Sequence, residues 1–202
     1  MCIRDRVACG GLHTCVVTTS GELLACGVNY FGQLGLGQGS ASSVRRLTAV
    51  PVPAPVKQVA CGVVHTCVLT VDGAVLTCGR NESGQLGLNG VPAGYGGNAE
   101  ARELRPVALP GEATQVVACG WRHTFAVTAG GALLGWGVNN LGQLGLGHRQ
   151  TPQSLPQPVP LPTGALRVAS GGNTTSAEAR TCVLAVLGGP STVDSAHWAL
   201  LV

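Results

Sequence analysis

The sequence predicts an all-β protein built as a partial, open array of about three to four four-stranded sheets. Three observations carry that class. A motif of about fifty residues occurs three times, and a fourth copy starts and then degrades. Inside each copy the segments are four to six residues long, rich in Val, Leu, Thr and Cys, and stopped by Gly or Asn. None is long enough, or periodic at 3.6, to form a helix. Glycine, with 31 of 202 residues, is about twice its average share and follows no Gly-X-Y period, which points to many tight turns.

The first copy runs Val7-Ala-Cys-Gly10, His13-Thr-Cys-Val-Val-Thr18, Gly21, Leu23-Leu-Ala-Cys26-Gly27, then Asn29 ahead of Gly32-Gln-Leu-Gly-Leu-Gly37. The second repeats it as Val59-Ala-Cys-Gly62, His65-Thr-Cys-Val-Leu-Thr70, Gly73, Val75-Leu-Thr-Cys78-Gly79, and Asn81 ahead of Gly84-Gln-Leu-Gly-Leu88. The third is Val117-Ala-Cys-Gly120, His123-Thr-Phe-Ala-Val-Thr128, Gly131, Leu133-Leu-Gly-Trp136-Gly137, and Asn139 ahead of Gly142-Gln-Leu-Gly-Leu-Gly147. A fourth opens at Val168-Ala-Ser-Gly171, with Arg180 in the histidine's place after an insertion over Asn173–Ala179. The copies start 52, 58 and 51 residues apart, so the repeats span 7–58, 59–116, 117–167 and, in part, 168–190. Residues 1–6 and 191–202 fit no repeat position and stay unassigned as leader and tail.

Thr14–Thr18 and Leu23–Cys26, split at Ser20-Gly21, form a predicted hairpin, and Asp72-Gly73 is a stronger turn signal at the same place in the second copy. Pro-rich connectors, Val50-Pro-Val-Pro53, Pro106-Val-Ala-Leu-Pro110 and Pro158-Val-Pro-Leu-Pro162, separate the copies. Proline has no amide to donate, so they suit edges and crossovers, each leading into a further strand such as Gln58–Cys61. Four short strands per copy is the arithmetic of a β-propeller blade.

Composition excludes several functions. Hydrophobic residues at 45% and charged residues at 10% support a packed core, while aromatics at 3% leave the filling to small and branched side chains. A net charge of +3, with Arg45-Arg46 the one basic pair in the body of the chain, gives no specific nucleic-acid signal. Runs such as Val183–Leu187 are far too short for a membrane helix. Met1–Arg6 precedes no apolar run and so provides no signal peptide; the expected location is cytoplasmic or nuclear, with the nine cysteines as reduced thiols.

The spacing Cys9-x3-His13-x-Cys15, repeated as Cys61-x3-His65-x-Cys67, brings zinc-type ligands together. In the third copy Phe125 stands where Cys15 and Cys67 stand, and Trp136 where Cys26 and Cys78 stand. A ring replaces a core-filling thiol but not a ligand, so the expectation is packing and no metal. His13, His65 and His123 recur at the start of a strand with no dedicated activating partner, which favours a hydrogen bond that every blade needs over catalysis. Asn29, Asn81 and Asn139 precede glycine turns that they cap with their side chains, asparagine also tolerating left-handed backbone there. Gly32, Gly84 and Gly142, followed by Gln33, Gln85 and Gln143, form the repeat's structural core. Gly32-x-x-Gly35-x-Gly37 opens onto a Ser- and Pro-rich connector instead of a helix, so it is no phosphate loop, and no Gly-x-Ser-x-Gly occurs. No cofactor and no catalytic residue are expected.

The pattern Ala-Cys-Gly…His-Thr…Gly…Trp/Cys-Gly-x-Asn-x-x-Gly-Gln-Leu-Gly, over residues 7 to about 187, resembles the regulator of chromosome condensation repeat. That resemblance implies a seven-bladed propeller, which needs roughly 350 residues at this repeat length. Three copies and a fraction therefore suggest missing blades or self-association through open strand edges. The resemblance implies protein partners such as small GTPases, chromatin or ubiquitin-ligase machinery. Because a rigid ring displays its function on variable loops, the leading expectation is a non-enzymatic interaction or regulatory scaffold. Its most variable runs are Gln38–Arg46, Asn89–Arg105 and Gly147–Gln157, with Arg45, Arg46 and Tyr95 as candidate contacts. Trp121 and Arg122 join them: Gly120-Trp-Arg-His-Thr124 matches a pentapeptide repeated in the family's ultraviolet-B photoreceptors. The alternative implied functions are guanine-nucleotide exchange on a Ran-type GTPase and, further off, ultraviolet-B sensing, for which Gly11-Leu12 and Val63-Val64 fail to supply the other tryptophans.

Overall fold

A computed structural model describes residues 6–94, 99–161, 165–171, 180–185 and 199–201, and every regular element in them is a β-strand. β1 (Arg6–Cys9), β2 (His13–Val17), β3 (Leu23–Val28) and β4 (Ser43–Ala49) form the first sheet. The second contains β5 (Val56–Cys61), β6 (His65–Thr70), β7 (Val75–Arg80) and β8 (Glu100–Pro106). The third contains β9 (Ala113–Cys119), β10 (His123–Thr128), β11 (Leu133–Gly137) and β12 (Gln153–Pro158). A fourth holds β13 (Ala165–Gly171), β14 (Arg180–Ala185) and β15 (Ala199–Leu201). Each is an antiparallel meander in chain order, the blade of a propeller, and the array is open. β15 lies within 191–202, which the repeat pattern left unassigned.

The runs Gln38–Arg46, Asn89–Arg105 and Gly147–Gln157, expected as loops, carry much of the outermost strands β4, β8 and β12. Their sequences differ between copies because an outer strand is seldom fully buried and little constrains it: β4 is exposed at six of seven positions, and β8 and β12 hold one fully buried residue between them. The inner hairpins are alike in register as well as sequence. Cys9 faces Thr14, Cys61 faces Thr66, Cys119 faces Thr124, and Ser170 faces Thr181.

The core lies between blades. Cys15, Val17, Leu23, Leu34, Val56, Val59 and Val68 pack between the first two. Cys67, Leu69, Val75, Leu86, Ala126, Leu134 and the fully buried Trp136 pack between the second and third. β6 and β10 are buried at every position because a blade covers each face, whereas β2 alternates buried and half-buried residues. Such a fold stacks sheets face to face and needs side chains that interlock across the gap.

Candidate functional site

The repeated polar residues meet at the blade junctions. His13 Nε2 lies 2.9 Å from the Thr66 hydroxyl of the next blade, and His65 Nε2 lies 3.0 Å from that of Thr124. Each hydroxyl donates onward to a backbone carbonyl of the preceding blade, Thr66 to Gln33 at 2.6 Å and Thr124 to Gln85 at 2.9 Å. With its proton committed there, the hydroxyl accepts from the imidazole, so the histidines carry their proton on Nε2. The same two carbonyls accept a second bond, from the Cys78 thiol at 3.6 Å and from the Trp136 indole at 2.9 Å. Burial, and secondarily the electrostatic influence of the neighbouring His65, depress His13 and His123 to a pKa of about 4, which keeps both neutral.

The Gly-Gln-Leu-Gly turn is tied from within. Asn29, Asn81 and Asn139 accept the amides of Leu34, Leu86 and Leu144 through Oδ1. Their Nδ2 groups reach the outer segment at Ala41, Val91 and His148. Gln33, Gln85 and Gln143 accept the amides of Phe31, Ser83 and Leu141. All positive φ angles among the described residues belong to glycine, so the asparagines act through their side chains and not through left-handed backbone. Gly32 and Gly84, at φ +78° and +74°, press on the next blade's outer strand; a Cβ there would sit 2.4 Å from Arg102 Cα and 2.6 Å from Ser154 Cα.

The cysteines do not pair within a copy. Cys9, Cys61 and Cys119 end the innermost strands and line a cleft of about 170 Å³ with Gly10, Gly62 and Gly120. Cys15 instead meets Cys61 of the next blade, and the ligand atoms of His13, Cys15 and Cys61 lie within 4.8 Å of one another. Cys67 likewise meets Cys119 of the following blade one junction further on, with the accepting thiol now on the innermost strand.

Sequence reasoning missed a network on one end of the array. The inner turns carry Leu12, Val63 and Trp121, and because β3 and β11 run back to that end, the turns after them bring Tyr30, Phe31 and Leu141 alongside. Leu12, Tyr30, Trp121 and Leu141 are all exposed there. Beneath them Glu82, its carboxylate almost completely buried, pairs with Arg80 of its own blade and with Arg122 of the next at 2.7 Å. Arg80 lies over the Phe31 ring at 4.3 Å and Arg122 over the Trp121 ring at 4.7 Å. Two cation–π stacks and a shared carboxylate thus run Phe31–Arg80–Glu82–Arg122–Trp121 across three blades. The signal was departure from the repeat: Arg80 and Glu82 stand where the first copy has Val28 and Tyr30 and the third has Val138 and Asn140.

Of the other expected contacts, Arg45 and Arg46 are exposed on β4 beside Leu47, on the outermost strand of the first blade. Tyr95 lies outside the described residues. No helix among the described residues is long and apolar enough to cross a membrane.

The chain matches the sequence profile of the regulator of chromosome condensation (RCC1) repeat over residues 20–69, 72–127 and 130–177. A second profile of the same repeat matches 5–33, 56–85 and 115–143. The chain is 42% identical over 160 residues to the secretion-regulating guanine nucleotide exchange factor of Mus musculus, covering 77% of this chain and 32% of that protein. It is 38% identical over 144 residues to the ultraviolet-B receptor UVR8 of Arabidopsis thaliana, covering 70% and 31%. The chain thus spans about a third of the length of these curated relatives. Among solved structures, Prp20p of Saccharomyces cerevisiae, described with its binding to Gsp1p and histones, superposes with a TM-score of 0.74 at 22% identity, over 83% of this chain and 41% of that one.

Proposed function

The chain belongs to the regulator of chromosome condensation (RCC1) repeat family, and from that membership we propose that it is a non-enzymatic scaffold that binds a protein partner through the end carrying Leu12, Tyr30, Trp121 and Leu141. The observation that carries this is the placement of four large exposed apolar side chains on one end, with Trp121 held in place by Arg122 and the buried Glu82. Aromatic anchors ordered before contact lose little entropy on binding. The Ran-type GTPase, chromatin and ubiquitin-ligase partners that the family resemblance implies are the classes to test.

The experiment compares the wild-type chain with Trp121→Ala, Leu12→Asp and the control Val71→Asp. Val71 is equally exposed but follows β6, at the opposite end. Partners quantified by affinity capture are expected to fall at least tenfold with the first two and to stay unchanged with the control. Equal losses for all three would place the contact elsewhere.

Guanine-nucleotide exchange is the second reading, favoured by the mouse relative's name. Release of labelled GDP from a Ran-type GTPase, measured with and without this chain, separates the two; acceleration over background replaces the scaffold reading. Light sensing finds less support. The positions matching Trp121 are Gly11 and Val63, and Arg122 is engaged within the chain by Glu82. Gel-filtration profiles are expected to be identical before and after ultraviolet-B irradiation.

A further inference from the structure

We propose that Cys15 with Cys61, and Cys67 with Cys119, are oxidisable pairs that close as disulfides between neighbouring blades when a hydroperoxide enters the cleft at the inner-strand ends. Three observations converge on this. The pairs are built alike: one cysteine on the second strand of a blade is buried, and the other, on the first strand of the following blade, is half-buried and lines the cleft. In the reduced protein Cys61 donates weakly to Ala8 O at 3.5 Å and Cys119 to Ala60 O at 3.6 Å, so both outer thiols already lie against the preceding blade.

The third observation is the junction that lacks the pair. Phe125 takes the place of Cys15 and Cys67, and Ser170, which faces Thr181 as Cys61 faces Thr66, takes the place of Cys61 and Cys119. Both sulfurs are lost together while His123 and the threonine remain. The sulfurs therefore go with each other and not with the histidine. That separates a dithiol from a metal site, although His13, Cys15 and Cys61 lie close enough for one. Ligation by His13 Nε2 would break its bond to Thr66 and move the ring proton to Nδ1. In both His13 and His65 that atom is buried without an acceptor. Oxidation leaves the histidine–threonine bond intact.

The chemistry balances with the hydroperoxide as oxidant. The Cys119 thiolate attacks one peroxide oxygen, the O–O bond breaks, and the leaving alkoxide takes up a proton to depart as an alcohol, or as water from hydrogen peroxide. Cys119 is left as a sulfenic acid. Cys67 then attacks that sulfur, forming the S–S bond and expelling the hydroxyl, which leaves as water with the Cys67 proton. Two electrons pass from the sulfur pair to the peroxide. At the first junction the roles are exchanged: the Cys61 hydrogen bond holds Cys15 below its ordinary range and raises Cys61, so Cys15 is the thiolate that attacks the peroxide and Cys61 closes the disulfide. Burial disfavours the Cys119 thiolate, but the Cys67 hydrogen bond and the neighbouring His65 outweigh it and hold this thiol below its ordinary range.

The test treats the reduced 202-residue chain with hydrogen peroxide, blocks remaining thiols and maps unreduced peptides by mass spectrometry. Peptides linking Cys15 to Cys61 and Cys67 to Cys119 are expected. A thermal midpoint raised by several degrees and restored by dithiothreitol should accompany them. Cys61→Ser, the residue the fourth copy carries there, should abolish the first link and leave the second. Cys15 and Cys67 still fully alkylatable once the exposed Cys9 is oxidised would overturn the proposal. So would links scrambled through Cys9, or stoichiometric zinc in the reduced chain that Cys15→Ser releases.

Discussion

The hydroxyls of Thr66 and Thr124 each hold two blades together, accepting from a histidine of the preceding blade and donating to a glutamine carbonyl of that same blade. Thr124→Val keeps the shape of the side chain and removes both bonds. The His65 Nε2–H is then buried without an acceptor, which costs about 2 kcal/mol in urea denaturation. Gln85 O keeps its bond from Trp136 in that variant. Trp136→Phe removes the second donor, so the double variant should lose about 1 kcal/mol more than the two single losses together. Additive losses would show that the carbonyl does not depend on this pair. The histidine–threonine repeat was visible in the sequence as His13-Thr14, His65-Thr66 and His123-Thr124, but not its wiring. His13 and His65 each bond the threonine of the next copy, more than fifty residues away, and adjacency in the chain says nothing of that.

At the scale of the element, the glycine turns after β3 and β7 dock on the neighbouring blade's outer strand. Gly84 and Gly142 have nearly the same backbone, φ +74° and +80°, yet a Cβ on Gly84 meets Ser154 Cα at 2.6 Å, while one on Gly142 meets nothing within 4 Å among the described residues. Gly142→Ala therefore carries only the left-handed strain of about 1 kcal/mol, whereas Gly84→Ala adds a backbone collision and should cost about 3 kcal/mol. Hydrogen exchange reads the difference locally: the amides of Gln153, Ser154, Leu155 and Gln157 should lose protection in Gly84→Ala and keep it in Gly142→Ala. Equal loss in both would mean that the turn's own conformation matters and its docking does not. The short strands were legible because hairpin turns such as Asp72-Gly73 are local signals. The outer strands were not, because they are held by backbone pairing, and β4 leaves six of seven side chains in water while β8 fully buries only Ala101, so their sequences keep no hydrophobic alternation.

On the scale of the whole molecule, stability resides in the junctions, and acid acts on them. His13 and His123 fall from an ordinary 6.5 to about 4 on folding, so below pH 6.5 the unfolded chain binds protons that the folded chain refuses. Stability is therefore full above pH 6.5, declines as pH falls, and levels off below 4, by at most about 3 kcal/mol for each histidine. Midpoints of urea unfolding between pH 7.5 and 4 should trace that decline, and His13→Gln should remove part of it; a flat profile would show that these imidazoles are not buried neutral. The amino-acid sequence by itself determined the strand count per repeat, the blade and the family, because turns, short apolar runs and spacing are properties of neighbouring residues. Only the tertiary structure decided that Cys15 belongs with Cys61 instead of Cys9, and that Glu82 joins Arg80 to Arg122 beneath Trp121. Those partners lie on different blades, and they meet only when the sheets pack face to face and bury the side chains between them.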